Sequence, residues 1–188
     1  DRFYDHPSGR LKLVAITGTN GKTTTLKVLD AIFRAAGLRT GTIGTLGATI
    51  ADHHLPGERS TPDAIGFQRL LAEMLADDIT HATVEITSHA LDLHRAYQSC
   101  FAAAVYTNLT QDHLDWHRSM DSYFVSKSVL FTDYVQFAPK MVRLINLDDP
   151  YGARLLQLAR CHSLTYGINS QADVRATQVD ISPTGNRF

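Results

Sequence analysis

The stretch ITGTNGKTTT, residues 16–25, constrains this chain more than any other. It follows a short apolar run at 11–16 that reads as a buried strand. It precedes a helical stretch to about residue 36, with Leu26, Leu29, Ile32, Phe33 and Ala36 as the apolar stripe and Gly37 as the stop. Glycines between a strand and a helix let backbone N–H groups turn inward, and the helix N-terminus adds partial positive charge. That construction cradles phosphate. Gly18, Thr19, Asn20, Gly21 and Thr24 would line the cradle. Lys22 would reach the β/γ-phosphates, and the Thr23 hydroxyl would ligate Mg²⁺. The full phosphate-loop pattern wants a glycine at position 16, where Ile16 stands, so this is a shortened variant. The competing reading is a tight strand–helix turn with a surface lysine.

Downstream, short apolar runs alternate with helical stretches. Strands are expected near 39–43, 80–86, 101–107, 141–145 and 162–166. Helices are expected at 90–96, 121–137 and 150–159, and one opens at Ser60-Thr-Pro-Asp63 with Pro62 in its first turn. Residues 44–59 read as loop with room for a hairpin, and 173–181 as a strand outside the alternation. The fold class expected is α/β: a phosphate-loop-containing, doubly wound, mostly parallel sheet with the start of a small antiparallel extension. Ligands of such sheets bind beyond the carboxyl ends of the strands.

Polar residues stand at several of those ends. Glu85 closes the apolar run HATVEIT (81–87), where a carboxylate needs a cation or hydrogen-bond donors. Mg²⁺ beside the phosphates would serve, and so would an outward-facing strand edge. NLTQDHLDWH (108–117) packs two His and two Asp into six residues. It reads as a solvated polar loop, or as a cation site through His113. On 121–137, the spacing puts Lys127 on the stripe of Met120, Phe124, Phe131 and Val135. A buried lysine loses its proton readily, and the neutral amine can take up CO₂ as a carbamate. A lysine snorkelling from the stripe edge is the other reading. Asn146, before Asp148, either reads an adenine edge or forms an Asx turn. His53, His54 and His162 carry no spacing signal.

Together these segments resemble the central, ATP-binding domain of the Mur ligase family. The resemblance rests on ITGTNGKTTT (16–25), STPDAI (60–65), EITSHALDLHR (85–95), TNLTQDHLDWH (107–117), the Tyr123/Lys127 pair and INLDDPYG (145–152), in family order. STPD and the SHAL…DHLDWH block favour the branch that adds the third residue to the UDP-muramoyl dipeptide. Folylpolyglutamate and cyanophycin synthetase types and a plain nucleotide-binding module are the alternatives. The resemblance implies ATP-dependent amide bond formation through an acyl phosphate, in peptidoglycan precursor synthesis. It implies two Mg²⁺ ions, the first on Thr23 and Glu85, the second on His113 and a carbamylated Lys127. Lys22, Lys127 and His113 would be catalytic. Asn146 and Asp148 would contact the adenosine. Ser60, Thr61, Ser88 and Arg95 would bind the UDP-muramoyl dipeptide, and diaminopimelate or lysine would be the incoming amino acid. Against the family pattern, Ser60 replaces Thr, Thr87 replaces Ser, Leu93 a polar residue, Trp116 a Tyr and Ser126 an Ala.

The composition fits this reading. With 188 residues and 44% hydrophobic content, the chain can bury a core without disulfides, and Cys100 and Cys161 suggest no framework. The net charge of −1 gives no field toward nucleic acid or an anionic membrane. No apolar run nears the roughly 18 residues of a membrane span. A bacterial cytoplasmic monomer is expected. Residues 1–10 read as linker and 11–188 as the central domain. Without an initiator Met, the chain is expected to be a piece of a longer ligase whose flanking domains lie outside it, the piece being inactive by itself.

Overall fold

In the computed structural model, residues 2–159, 162–183 and 185–187 are described. Cys161 lies outside them. A one-turn 3₁₀ helix at Arg2–Tyr4 and the helical turn α1 (Pro7–Arg10) lead into β1 (Lys12–Thr17). The phosphate-loop candidate follows, then α2 (Lys22–Ala35), β2 (Thr40–Gly44), β3 (Gly47–Ile50), β4 (His53–Leu55), α3 (Ala64–Ala76) and β5 (His81–Glu85). Next come α4 (Ser88–Asp92), β6 (Ala103–Tyr106), α5 (Leu114–His117), α6 (Met120–Thr132) and a 3₁₀ turn at Tyr134–Gln136. β7 (Val142–Asn146), α7 (Pro150–Leu158), β8 (Ser163–Gly167), β9 (Val174–Arg175), β10 (Asp180–Ser182) and β11 (Gly185–Arg187) complete the order.

The main sheet runs β4-β3-β2-β5-β1-β6-β7-β8-β9. Strands β2, β5, β1, β6, β7, β8 and β9 are parallel, and β3 and β4 add an antiparallel edge. The chain leaves β1 for β2, returns to β5 beside β1, then builds β6 on the other flank. The α/β class and the doubly wound, mostly parallel order are therefore as the sequence implies, and the antiparallel extension expected at the end of the chain is the β10–β11 hairpin. Alternate residues of β1 feed different cores: Leu13 and Ala15 pack with Phe67, Leu71 and Phe131, while Val14 and Ile16 pack with Leu26 and Val105. Helix α2 covers the second face; α3, α4, α6 and α7 contribute to the first.

Several expectations are corrected. Pro62 lies outside α3, because the Asp63 carboxylate caps the helix by accepting from the Ile65 and Gly66 N–H groups. Residues 44–59 hold two real strands, extending the main sheet by a hairpin. The helix expected to reach 137 stops at Thr132 and continues as a 3₁₀ turn. The strand expected over 173–181 is two pieces, β9 on the main sheet and β10 in a separate hairpin with β11. On α2, Ile32 is 56% exposed, so the apolar stripe there narrows to Leu26, Leu29 and Phe33. Residues 7–11 pack onto the domain; Ser8 is buried and accepts a hydrogen bond from the Cys100 N–H.

Gly152 shows how tightly α7 is seated on the end of β7. A Cβ there would lie 1.8 Å from the Asn146 carbonyl oxygen, a backbone atom that cannot swing aside. Gly152→Ala is expected to destabilise the fold by about 1–3 kcal/mol through overpacking, read as a lowered urea midpoint at unchanged m-value.

Candidate nucleotide and metal site

The carboxyl ends of β1, β5, β6 and β7 meet on one rim of the sheet. Parallel pairing sets Ile16 opposite both Glu85 and Val105, and Tyr106 opposite Ile145. The loops leaving these strands therefore share one crevice.

The loop after β1 is held from behind by the loop after β6. The Thr19 N–H donates to the Asn108 carbonyl at 2.9 Å, and the Asn20 N–H to Asn108 Oδ1 at 2.9 Å. The Thr107 hydroxyl donates to the Asn20 carbonyl at 2.7 Å. Gly18 permits this closeness: its φ is +147°, and a Cβ would stand 2.0 Å from Thr107 Oγ1. Thus the N–H groups of Thr19 and Asn20 serve the protein. The donors facing outward are those of the first turn of α2, which no side chain caps because its N-cap is Gly21. Lys22 folds over the loop, and its Nζ donates to the Gly18 and Thr19 carbonyls at 2.9 and 2.8 Å. Thr24 is exposed on the next position of the helix.

Glu85 is fully buried at the end of β5. Its Oε1 accepts from the Thr23 hydroxyl (2.9 Å) and the Thr45 N–H (3.1 Å), and its Oε2 from the Thr45 hydroxyl (3.0 Å). All three partners are neutral donors. Gly44 makes the room, since a Cβ there would lie 2.4 Å from Glu85 Oε1. Thr23 and Glu85 thus set two hard oxygen donors side by side at the mouth of the loop, a pair that could hold Mg²⁺ if phosphates and water completed its shell. Among the described residues, no three His, Cys, Asp or Glu side chains gather as a metal cage.

Three of the four expected substrate contacts join the hydrogen-bond network around Thr45 and the Glu85 backbone. The Ser60 hydroxyl pairs with Thr45 Oγ1 at 2.8 Å. The Thr61 hydroxyl donates to the Glu85 carbonyl at 2.8 Å, and Arg95 Nη1 donates to the Thr61 carbonyl at 3.0 Å. Ser88 stands apart, 1% exposed, with its hydroxyl against His117 Nε2 at 2.9 Å.

Lys127 is 3% exposed. Its Nζ donates to the Gly18 carbonyl at 3.0 Å, sharing that oxygen with Lys22, and sits 4.5 Å from the centre of the Tyr123 ring. Burial, then the neighbouring charge of Lys22, hold its pKa well below the ordinary lysine value. Burial lowers Lys22 too. One turn before Lys127, the Tyr123 hydroxyl lies 3.2 Å from Thr19 Oγ1. Thr19 spends its own proton on the Thr110 carbonyl, so Tyr123 is the donor. His113 is 44% exposed and has left-handed backbone; its ring neighbours are His89 at 4.8 Å and Tyr123 at 6.0 Å, with Asp112 3.4 Å from Nε2. The structure therefore brings Lys127 to the loop and leaves His113 at the rim.

Asn146 and Asp148 are both used internally. Asn146 Oδ1 accepts the Asp148 N–H, forming the Asx turn, while its Nδ2 donates to the Thr107 carbonyl at 2.8 Å. Asp148 accepts from the N–H groups of Ile168, Asn169 and Ser170, which lowers its pKa. Beside them lies a cavity of about 420 Å³ walled by Tyr166, Ile168, Val174 and Val179.

Sequence reasoning missed Gly44, Thr45 and the Asn108 buckle, whose roles depend on chain reversals of tens of residues. It also missed His117, which DHLDWH displays without saying that it folds inward. Trp116 and Ser126, two departures from the family pattern, meet on one carboxylate: Trp116 Nε1 and the Ser126 hydroxyl both donate to Asp92.

A glycine loop between a parallel strand and a helix N-terminus, with a lysine over it and a carboxylate at the neighbouring strand's end, defines a phosphate-loop α/β domain. The family profile of the Mur ligase middle domain matches residues 16–188. The chain belongs to the Mur ligase family, as a middle domain. It is 41% identical over 192 residues to the UDP-N-acetylmuramoyl-L-alanyl-D-glutamate–2,6-diaminopimelate ligase of Bacillus velezensis, covering 100% of this chain and 39% of that protein. It is 38% identical over 186 residues to the corresponding ligase 1 of Clostridium acetobutylicum, covering 99% and 37%. A solved structure of such a ligase superposes with a TM-score of 0.83 at 30% identity, over 94% of this chain and 36% of that one. The chain thus spans somewhat over a third of the length of the curated relatives it matches.

The buried amine gives a pH-dependent prediction. The folded Lys127 releases its proton below the unfolded value of 10.5, so between those two values the unfolded chain binds more protons. Stability from this group therefore rises with pH across that window. The unfolding free energy of the unmodified protein minus that of Lys127→Met is expected to increase as pH rises toward 10.5, measured by urea unfolding at stepped pH.

Proposed function

We propose that the protein carrying this chain is an ATP-dependent amide ligase of the bacterial cytoplasm. It joins a third residue to UDP-N-acetylmuramoyl-L-alanyl-D-glutamate in peptidoglycan precursor synthesis. ATP would activate the free carboxylate as an acyl phosphate, and the amine of the incoming amino acid would displace phosphate. The observation that carries this reading is the Thr23–Glu85 pair beside an uncapped helix N-terminus, with a buried amine on the far side of the same loop. The names of the relatives make diaminopimelate the first amino acid to test and lysine the second.

Each residue then has a task. The first-turn N–H groups of α2 and Lys22 bind the phosphates; Lys22 releases two loop carbonyls to do so. Thr23 and Glu85 would hold the first Mg²⁺, which when bound would offset the charge that builds between the reacting anions. Lys127, whose pKa burial pushes well below the ordinary lysine value, would take up CO₂ as R–NH₂ + CO₂ → R–NH–COO⁻ + H⁺. The resulting carbamate and His113 would hold a second Mg²⁺. The cavity beside Asn146 and Asp148 suits a flat, mostly apolar base with one amide at its edge. Ser60, Thr61, Ser88 and Arg95 contact the muramoyl dipeptide. No helix of the described residues is long and apolar enough to cross a membrane.

The test uses the protein from the full reading frame that encodes this chain. ADP release is expected only when UDP-muramoyl dipeptide and amino acid are both present. ATP turnover with neither would sink the ligase reading in favour of a kinase or plain nucleotide-binding module. Glu85→Gln is expected to lower kcat by about 100-fold, the scale of losing one charge-stabilising contact in a transition state.

A further inference from the structure

Thr17, the last residue of β1, is fully buried, and among the described residues its hydroxyl has no hydrogen-bond partner. The groups beside it are engaged. The Thr17 carbonyl accepts the Thr107 N–H at 3.0 Å, and the Thr107 hydroxyl goes to the Asn20 carbonyl. A buried hydroxyl left unpaired carries the cost of its lost hydration, so a fold that keeps one calls for a reason.

Strand alternation says which way this hydroxyl faces. Successive residues of a strand point to opposite faces. Leu13 and Ala15 of β1 pack in the core that holds Tyr123, Phe124 and Phe131 of α6, so Thr17 faces α6 too. Its register partner on β6 is Tyr106, which belongs to that core and lies 6.3 Å, ring to ring, from Phe131. One turn before Phe131 on α6 stands Lys127, whose Nζ donates to the carbonyl of Gly18, the residue after Thr17. The unpaired hydroxyl and the buried amine therefore approach the same end of β1 on the same face.

Their chemistry matches in one state far better than in the other. An ammonium has only hydrogens to give and offers a hydroxyl donor nothing. A carbamate carries two oxygens sharing a negative charge, and hydrogen bonds to a charged acceptor are the strong ones.

We propose that Thr17 is a positioning residue whose hydroxyl donates to the carbamate of Lys127 and favours its formation. The inference rests on the reading of Lys127 as the carbamate carrier, R–NH₂ + CO₂ → R–NH–COO⁻ + H⁺, and adds the donor that holds the product. The hydroxyl is unpaired before the reaction and paired after it, so carbamate formation relieves a cost that the fold already bears.

Thr17→Val keeps the shape and removes the hydroxyl, while Thr17→Ser keeps the hydroxyl. In the full-length protein with Mg²⁺ present, ¹³C-bicarbonate is expected to give a carbamate carbon resonance that Lys127→Met lacks. The bicarbonate concentration that half-fills it is expected to rise about tenfold in Thr17→Val, the equivalent of one hydrogen bond to a charged group, and to change little in Thr17→Ser. Without CO₂, the urea midpoint of Thr17→Val is expected to equal or exceed that of the unmodified protein, because the hydroxyl it lacks had no partner to lose. Half-filling at the same bicarbonate concentration in Thr17→Val overturns the proposal and leaves the reading of Lys127 standing. A lowered midpoint, or a Thr17→Val protein that does not fold while Thr17→Ser does, also overturns it, since the hydroxyl is then already bonded within the fold. If the unmodified protein shows no carbamate resonance, the reading of Lys127 fails first and takes the role of Thr17 with it.

Discussion

Parallel pairing of β1 with both β5 and β6 is the constraint on which the site depends. It puts Glu85 opposite Ile16 and starts the three loops of the crevice at one level. Because a one-residue slip in a strand turns every side chain to the other face, this register also keeps Leu13 and Ala15 in one core and Val14 and Ile16 in the other. The hydrophobic pattern of β1 and the position of the Glu85 carboxylate are thus consequences of the same alignment.

Within that frame, charge is distributed economically. Two lysines donate to the single carbonyl of Gly18, while the Glu85 carboxylate accepts from two hydroxyls and an amide. A cluster with two amines and, among the described residues, no carboxylate in ion-pair contact favours the arrival of an anion. Lys22, the less buried of the two, would leave the loop carbonyls for phosphate in the proposed reaction. Lys127 has no comparable freedom, since it is buried against Tyr123 and the Gly18 carbonyl, and that burial pushes its pKa well below the ordinary lysine value.

The parts legible in the sequence are those specified locally. GTNGKTTT declares the loop, the alternation of apolar runs declares the parallel sheet, and i+3/i+4 spacing places Lys127 on the buried side of α6. Glu85 is legible because a carboxylate inside the apolar run HATVEIT must meet donors or a cation if it is buried at all. Asn146 is ambiguous in the sequence because one amide suits both a ligand and an Asx turn, and the structure shows the turn's hydrogen bonds. What local pattern does not carry is tertiary. The β3–β4 strands are Gly- and His-rich and become strands by pairing with β2, and Asn108 acquires meaning only when the β6 loop crosses behind Thr19. Pro62 misleads because proline also precedes caps, and the Asp63 carboxylate supplies the stronger signal.

The hydrogen-bond network also explains why the crevice can be rigid on one side and open on the other. Thr19 and Asn20 are tied to Asn108, Thr107 and Thr110, and Tyr123 ties Thr19 to α6, so the loop's back is fixed by contacts from two elements distant in sequence. Its front, the first turn of α2, has N–H groups that no side chain caps. Uncapped donors at a helix N-terminus are costly unless water or an anion takes them. A loop braced behind and unsatisfied in front would bind phosphate without first having to order itself, and that asymmetry is what separates a phosphate cradle from a tight strand–helix turn of the same sequence length.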